Sequence, residues 1–275
     1  MSLKPEEFNE FRTFLKDAAG IDLSDNKEYL VNTRLRKILT KNSFEDVGQL
    51  MKRIRAGTDR ALKQDVIDAM TTNETFWFRD NYPFDYLKST VFPEFEKSSD
   101  SKVPRIWCAA CSSGQEPYSI SIASHEFSKS SLGRSKFSVD IQATDLSNEI
   151  LEHAKEGVYD KLSISRGMSD QRLRTYFKEK PDNYWALKPE IKKAIRFRSL
   201  NLQQSYASMG KFDIIFCRNV LIYFSSELKF DILKRLHASL KPGGLLFLGS
   251  SENPGDASDL FTLVHCRPGV VYQAK

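Results

Sequence analysis

From Val103 onward, short apolar runs alternate with helical stretches, and that alternation constrains the chain more than any single residue does. Strands covered on both faces appear as continuous apolar runs, and parallel neighbours need a helical crossover, so the pattern predicts a mostly parallel sheet between helices. The expected strands are Arg105 to Ala109, Ser138 to Ala143, Ile195 to Arg198, Phe212 to Cys217 and Leu245 to Gly249. A last pair, Phe261 to Cys266 and Val270 to Gln273, is joined by Arg267-Pro268-Gly269 and predicts an antiparallel hairpin. A hairpin closing a mostly parallel sheet sets this layout apart from a wholly parallel one, which narrows the chemistry without proving it.

Residues 4 to about 70 show helical periodicity instead. Phe8, Phe11, Phe14, Leu15 and Ala18 form one stripe, Val47, Leu50, Met51 and Ile54 another, and Leu62, Val66 and Met70 a third. Ser43 with Asp46 forms a cap-like start for the third helix, and Asp59 is placed to cap the fourth. The polar run Glu96-Lys97-Ser98-Ser99-Asp100-Ser101-Lys102 marks the approach to a second domain. Between Val158 and Lys193 the alternation breaks. A helix-like run, Ser169 to Phe177, a turn at Pro181-Asp182-Asn183 and a strand at Tyr184 to Leu187 suggest an inserted subdomain, whose plainer role is to cover a sheet edge. The expected division is a helical domain over 1–70, a connector over 71–102, and an α/β domain over 103–275 with an insertion at about 158–193.

With 275 residues and 40% hydrophobic content, the chain can bury cores for two modest domains. No apolar run approaches the ~20 residues that span a bilayer, and the start, Met1-Ser2-Leu3-Lys4-Pro5, lacks the apolar segment of a signal peptide, so a cytoplasmic protein without membrane insertion is expected. Cys108, Cys111, Cys217 and Cys266 are read as small core residues, with neither disulfide nor metal expected. A net charge of +5 does not by itself imply nucleic acid. Its distribution is more telling. Lys27, Arg34, Arg36, Lys37 and Lys41 crowd one predicted helix, and Lys27, Arg34, Lys37 and Lys41 share one flank while Val31, Leu35, Ile38 and Leu39 form the buried stripe. That flank is either a solvated face or a docking surface for an acidic partner.

Trp107 to Ser119 runs from an apolar strand through small residues into a helix that Pro117 starts. It suits a nucleotide-type cofactor loop, but with Gly114 alone it lacks the G-x-G-x-x-G pattern, and a ligand-free tight turn is the alternative. Asp145 ends the next strand, where a carboxylate can hold both ribose hydroxyls or cap the helix near Ser147. Glu116, beside the loop, disfavours a pyrophosphate and suits a cation, which points away from NAD and toward S-adenosylmethionine. In Thr71 to Asp80, Phe76 and Phe78 are expected to pack, while Arg79 can fork onto a carboxylate. Asn201-Leu202 and Arg218-Asn219 leave the sheet at its carboxyl edge, where open α/β sheets bind ligands.

Taken together, Thr72-Asn73-Glu74-Thr75 with Phe78-Arg79, Trp107 to Ser119, Ala143 to Ser147 and Arg218 to Phe224 resemble the motifs of the chemotaxis receptor methyltransferases. These are glutamate O-methyltransferases of the CheR type. The resemblance spans the whole chain in the family's order. It implies an α/β fold: a small all-α N-terminal domain, then a Rossmann-like methyltransferase domain with a mostly parallel sheet, a C-terminal antiparallel hairpin and a small inserted β-subdomain. It further implies that S-adenosylmethionine is bound by Asn73, Thr75, Arg79, Glu116, Asp145, Asn201, Leu202, Arg218 and Asn219, leaving S-adenosylhomocysteine as product. Arg79 and Tyr223 would lie nearest the transferred methyl, and the connector would contribute to the site. Arg34, Arg36 and Lys37 would approach the cytoplasmic helical domains of receptors, with the enzyme a monomer. Family members that grip a receptor pentapeptide carry a glycine-rich loop in the β-subdomain. Phe177 to Tyr184 here has no glycine and is shorter, so tethering is not expected. A methyltransferase of the same fold with another substrate, and a cofactor-binding signalling module without turnover, stand as alternatives.

Overall fold

The computed structural model describes residues 3–98, 103–130 and 136–275. Residues 99–102, the end of the polar run, lie outside the described residues. Among the described residues, the first four helices are α1 (Pro5–Ala19), α2 (Glu28–Lys41), α3 (Val47–Arg55) and α4 (Arg60–Met70). Pro5 opens α1, and Glu7 reaches back to accept the Lys4 N–H. Asp46 caps α3 by accepting the Gln49 N–H at 2.8 Å, and Asp59 caps α4 through Leu62 N–H at 3.0 Å. Ser43 takes no part in that cap; it occupies the left-handed region at φ 56 in the preceding turn. Phe11, Leu15, Val31, Leu35, Leu50 and Val66 form the centre of this bundle, with Phe14, Ala18 and Leu39 at its edge.

Residues Tyr82 to Lys97 run as α5 (Tyr82–Tyr86), a π turn and α6 (Phe92–Lys97). Their buried face, Phe84, Leu87, Val91 and Phe92, belongs to the core of the sheet domain. The strands of that domain are β1 (Arg105–Ala109), β2 (Asp140–Asp145), β6 (Ile195–Ser199), β7 (Phe212–Cys217), β8 (Leu240–Leu248), β9 (Phe261–Cys266) and β10 (Gly269–Ala274). They form a seven-stranded sheet of order β6-β2-β1-β7-β8-β10-β9 among the described residues, parallel except for β10, which runs antiparallel to both neighbours. The helices α7 (Gln115–Ser130), α8 (Asn148–Glu156) and α12 (Ser226–Ser239) are the crossovers.

Strands β2, β6, β8 and β10 differ in their limits from the sequence expectation, β6 by one residue at its end and β10 by one residue at each end. β2 begins at Asp140, two residues late, because pairing starts at Arg105↔Asp140 and carries on to Ala109↔Thr144. β8 begins five residues early, at Leu240; a register shift between Phe212 and Ile214 accommodates Pro242, Gly243 and Gly244, which sequence patterning treats as a loop. The insertion builds its own three-stranded sheet, β3-β5-β4, from β3 (Val158–Asp160), β4 (Phe177–Lys180) and β5 (Tyr184–Leu187). Around it lie α9 (Lys161–Ser165), α10 (Asp170–Tyr176) and α11 (Pro189–Lys192). It does not extend the main sheet at edge strand β6. It packs against α7, where Ser121 Oγ donates to Ile191 O at 2.7 Å, and it receives Trp77, whose ring meets Tyr159 and Phe177 edge-on.

Among the described residues, no helix is long and apolar enough to cross a membrane. All four cysteines are buried free thiols, and burial pushes Cys108, Cys111 and Cys217 well above the usual thiol range.

Candidate functional site

A cavity of about 570 Å³ opens at the carboxyl edge of the sheet and is closed on its far side by the helical domain. The exit of β1 forms its floor. Ala110, Ser112 and Gly114 all take positive φ (60°, 50° and 92°), a run of left-handed residues that an unconstrained loop would avoid. The turn is held by Cys111 N–H to Thr144 O at 2.9 Å and by Ser112 N–H to Asp145 Oδ2 at 2.8 Å. Helix α7 starts at Gln115, two residues before Pro117, so Glu116 falls in its first turn, where the helix dipole favours a carboxylate.

Asp145 is buried. Its second oxygen accepts the Ser147 N–H at 3.0 Å, and Ser147, not Asp145, is the N-cap of α8 through Ile150 N–H. Burial raises the Asp145 carboxyl above its usual range, against the pull of the Ser147, Ser112 and Leu146 N–H groups.

Arg218, at the exit of β7, is the ionic hub of the site. Its side chain is 1% exposed and pairs with Asp80 at 2.5 Å and Glu116 at 3.3 Å, while also donating to Arg79 O at 3.0 Å. Burial raises the Glu116 carboxyl; Arg218 and Arg79 oppose that rise. The next residue, Asn219, sits at φ 57. Among the described residues, Arg218 Nε and Asn219 Oδ1 are buried without a hydrogen-bond partner.

All nine residues expected at the cofactor line this one cavity, with Tyr223 and Arg34 beside them. Their engagements differ. Asn73 Nδ2 donates to Thr71 Oγ1 at 3.2 Å, and Ser112 Oγ donates to Asn73 O at 2.8 Å. Asn201 is engaged by the helical domain: its Nδ2 donates to Ala18 O at 2.8 Å, and its Oδ1 accepts the Gln203 N–H. Gly20, which ends α1 at φ 74, permits that docking, since a Cβ there would meet the Leu228 side chain at 2.7 Å. Tyr223 O in turn accepts the Asp22 N–H at 2.9 Å.

Arg79 lies over the Phe76 ring at 5.1 Å, and Arg166 of the insertion lies over it at 3.8 Å while pairing with Glu74. Phe76 lines the cavity, whereas Phe78 is buried in the core as expected. On α2, Arg34 is committed to the end of α4, donating to Met70 O at 2.6 Å, Thr71 O at 2.9 Å and Thr72 Oγ1 at 3.0 Å; Arg36 and Lys37 stay exposed. Asp80, Ser112 and Glu252 shape the site without any local sequence signal. Their partners are far away in the chain or are backbone groups.

S-adenosylmethionine fits these residues. Its ribose hydroxyls need acceptors, which the Asp145 carboxylate would offer, and its cationic portion would suit the Arg-paired Glu116. The orphaned Asn219 Oδ1 and Arg218 Nε offer one acceptor and one donor that no protein group uses.

Comparison with known proteins places residues 73–270 in the description "CheR methyltransferase, SAM binding domain" and residues 6–71 in "CheR methyltransferase, all-alpha domain". The chain is 53% identical over 275 residues to the chemotaxis protein methyltransferase Cher2 of Pseudomonas putida, covering 100% of both chains. It is 52% identical over 276 residues to chemotaxis protein methyltransferase 1 of Pseudomonas aeruginosa, again covering 100% of both. It is 45% identical over 275 residues to a chemotaxis protein methyltransferase of Vibrio parahaemolyticus, covering 100% of this chain and 99% of that one.

Proposed function

Since this chain belongs to the CheR methyltransferase family, whose cofactor is S-adenosylmethionine, we propose that it methylates glutamate side chains of chemotaxis receptors, forming methyl esters. The observation that supports this most is the convergence of Arg79, Glu116, Asp145, Arg218, Asn219 and Tyr223 on one cavity between the helical and sheet domains. In this reading the helical domain spans 1–70, the connector 71–102 and the catalytic domain 103–275.

The cofactor, when bound, supplies an electrophilic methyl group on a positively charged sulfur. The protein's tasks are then binding, orientation and exclusion of water. A glutamate side chain has a reference pKa of about 4.3, so the acceptor is already ionised near neutral pH and no general base is required. Arg79, placed over Phe76 in the cavity wall, gives that carboxylate a fixed cation, and Tyr223 orients it from the turn after β7. The apolar wall residues Leu23, Ile222 and Phe224 strip water from the acceptor. Arg36 and Lys37, exposed on α2, complement acidic receptor helices, and Arg34 serves by fixing the cavity wall.

Labelled S-adenosylmethionine incubated with receptor cytoplasmic fragments is expected to give base-labile label on glutamates. Base-stable label, or no transfer by protein that binds cofactor, overturns the reading. The β4–β5 connection is a tight turn at Pro181–Asn183, with Asp182 at φ 58 and Asn183 at φ 57 in place of glycine, and it supports catalysis without a pentapeptide tether. Calorimetry with a receptor C-terminal pentapeptide is expected to show no tight binding; a low-micromolar Kd sinks that part.

A further inference from the structure

Strand β8 ends at Leu248, and the chain turns back through Gly249 to Glu252, whose N–H donates to Gly249 O at 2.9 Å. That turn sends the Glu252 carboxylate beneath the exit of β7. Oε2 accepts the Asn219 N–H at 2.6 Å and the Gly249 N–H at 2.8 Å, and Oε1 accepts the Leu221 N–H at 2.9 Å. A Cβ at Gly249 would lie 2.6 Å from Asn219 Nδ2 and 2.7 Å from Glu252 Oε2, so any larger residue there would displace one of these two side chains.

The donors on β7's exit have distinct consequences. Asn219 is the left-handed residue whose Oδ1 is buried on the cofactor cavity without a protein partner. Leu221 begins the single helical turn, Leu221–Tyr223, that carries Tyr223. Glu252 itself does not line that cavity; it lines the neighbouring one, of about 270 Å³.

We propose that Glu252 is a positioning residue for methyl transfer, one oxygen fixing Asn219 toward the cofactor and the other fixing the turn that carries Tyr223. This rests on the methyltransferase reading above. A carboxylate suits the task because it is acceptor-only and meets three donors at once. Glutamine has the same shape but only one acceptor oxygen. The orientation that keeps the Asn219 and Gly249 bonds turns its NH₂ against the Leu221 N–H, so the two arms separate.

Glu252→Gln is expected to lower kcat about tenfold, roughly the worth of one charge-assisted hydrogen bond, while the Kd for S-adenosylhomocysteine by calorimetry stays within about threefold of the parent. Glu252→Ala is expected to lose the Asn219 arm as well, raising that Kd about tenfold. Parental kcat in the glutamine variant means that Glu252 only fills space and overturns the proposal, as does parental product affinity in the alanine variant. Should the alanine variant not fold, as circular dichroism would show, the glutamine variant decides. Should the parent bind product yet transfer nothing to receptors, the receptor reading fails separately and the alanine variant's Kd decides. A parent that binds no product overturns both.

Discussion

Replacing Arg218 by methionine is expected to cost about 3–5 kcal/mol of folding stability and to abolish measurable cofactor binding. The reason is the company Arg218 keeps. With its side chain 1% exposed, it neutralises Glu116, whose side chain is 13% exposed, and anchors the more exposed Asp80, so removing it strands one carboxylate with little water to replace it and frees the other. Lysine at 218 is expected to recover only part of the loss, because a compact ammonium lacks the planar fork that spans Asp80, Glu116 and the Arg79 carbonyl. The deficit depends on pH in a definite direction. Burial already holds the folded-state pKa of Glu116 above its ordinary value, and Arg218 is the largest influence pulling it down. Without Arg218 that pKa rises further. A carboxyl raised in the folded state contributes stability below its unfolded pKa and loses it as pH climbs through the folded value. Urea unfolding of the methionine variant should therefore show its largest deficit near pH 7 and a smaller one near pH 5. A deficit that is absent, or that grows toward acid, sinks this account.

The pairing of Arg218 with Asp80, 138 residues away in sequence, also shows where sequence reading stops. The end of β7 could be recognised because an apolar run stops at Cys217, and Arg218-Asn219 could be placed at the ligand-binding edge on topology alone. The carboxylates that would face Arg218 could not, since a buried ion pair leaves no periodicity. β1, β7 and β9 have the limits their apolar runs suggest, because each run is bounded by polar or turn residues. In β8 the Pro-Gly-Gly segment conceals the first residues, since local turn chemistry is overridden by pairing across a bulge. β4, reading Phe177-Lys178-Glu179-Lys180, has no apolar pattern and owes its order to β5 beside it.

The site was legible to a similar depth. Residue type and topology brought the cofactor set to one cavity, but could not say which polar atoms the protein itself consumes. Arg34, on the basic flank expected to dock an acidic partner, donates to the carbonyls that end α4, and Asn201, expected at the cofactor, lines the cavity while also holding α1. From sequence Asp145 reads equally as ribose acceptor or helix cap, and the cap of α8 is Ser147.

In the methyltransferase reading proposed above Asp145 holds the ribose, and its replacement by asparagine is expected to weaken S-adenosylhomocysteine binding about 100-fold or more. Both carboxylate oxygens already accept a backbone N–H, from Ser112 at 2.8 Å and Ser147 at 3.0 Å, and the remaining lone pairs are what ribose hydroxyls can use. An amide removes one acceptor and turns its NH₂ onto one of those N–H groups, so the loss combines a missing charge-assisted bond with a strained loop at Ser112, which already sits at φ 50. Fold stability should change far less, by about 1–2 kcal/mol, because the sheet core does not depend on this contact. The parent should show a matching pH dependence. Burial raises the Asp145 carboxyl, so the ionised form that accepts hydroxyls is lost earlier on acidification than an ordinary aspartate would be. Product affinity should fall as pH drops from 7 through that raised value. In the asparagine variant the remaining slope belongs to Glu116, which burial raises too. Calorimetry at pH 7 and pH 5 on both proteins checks this: a parental Kd in the variant, or an unchanged pH slope, removes Asp145 from the cofactor's binding groups.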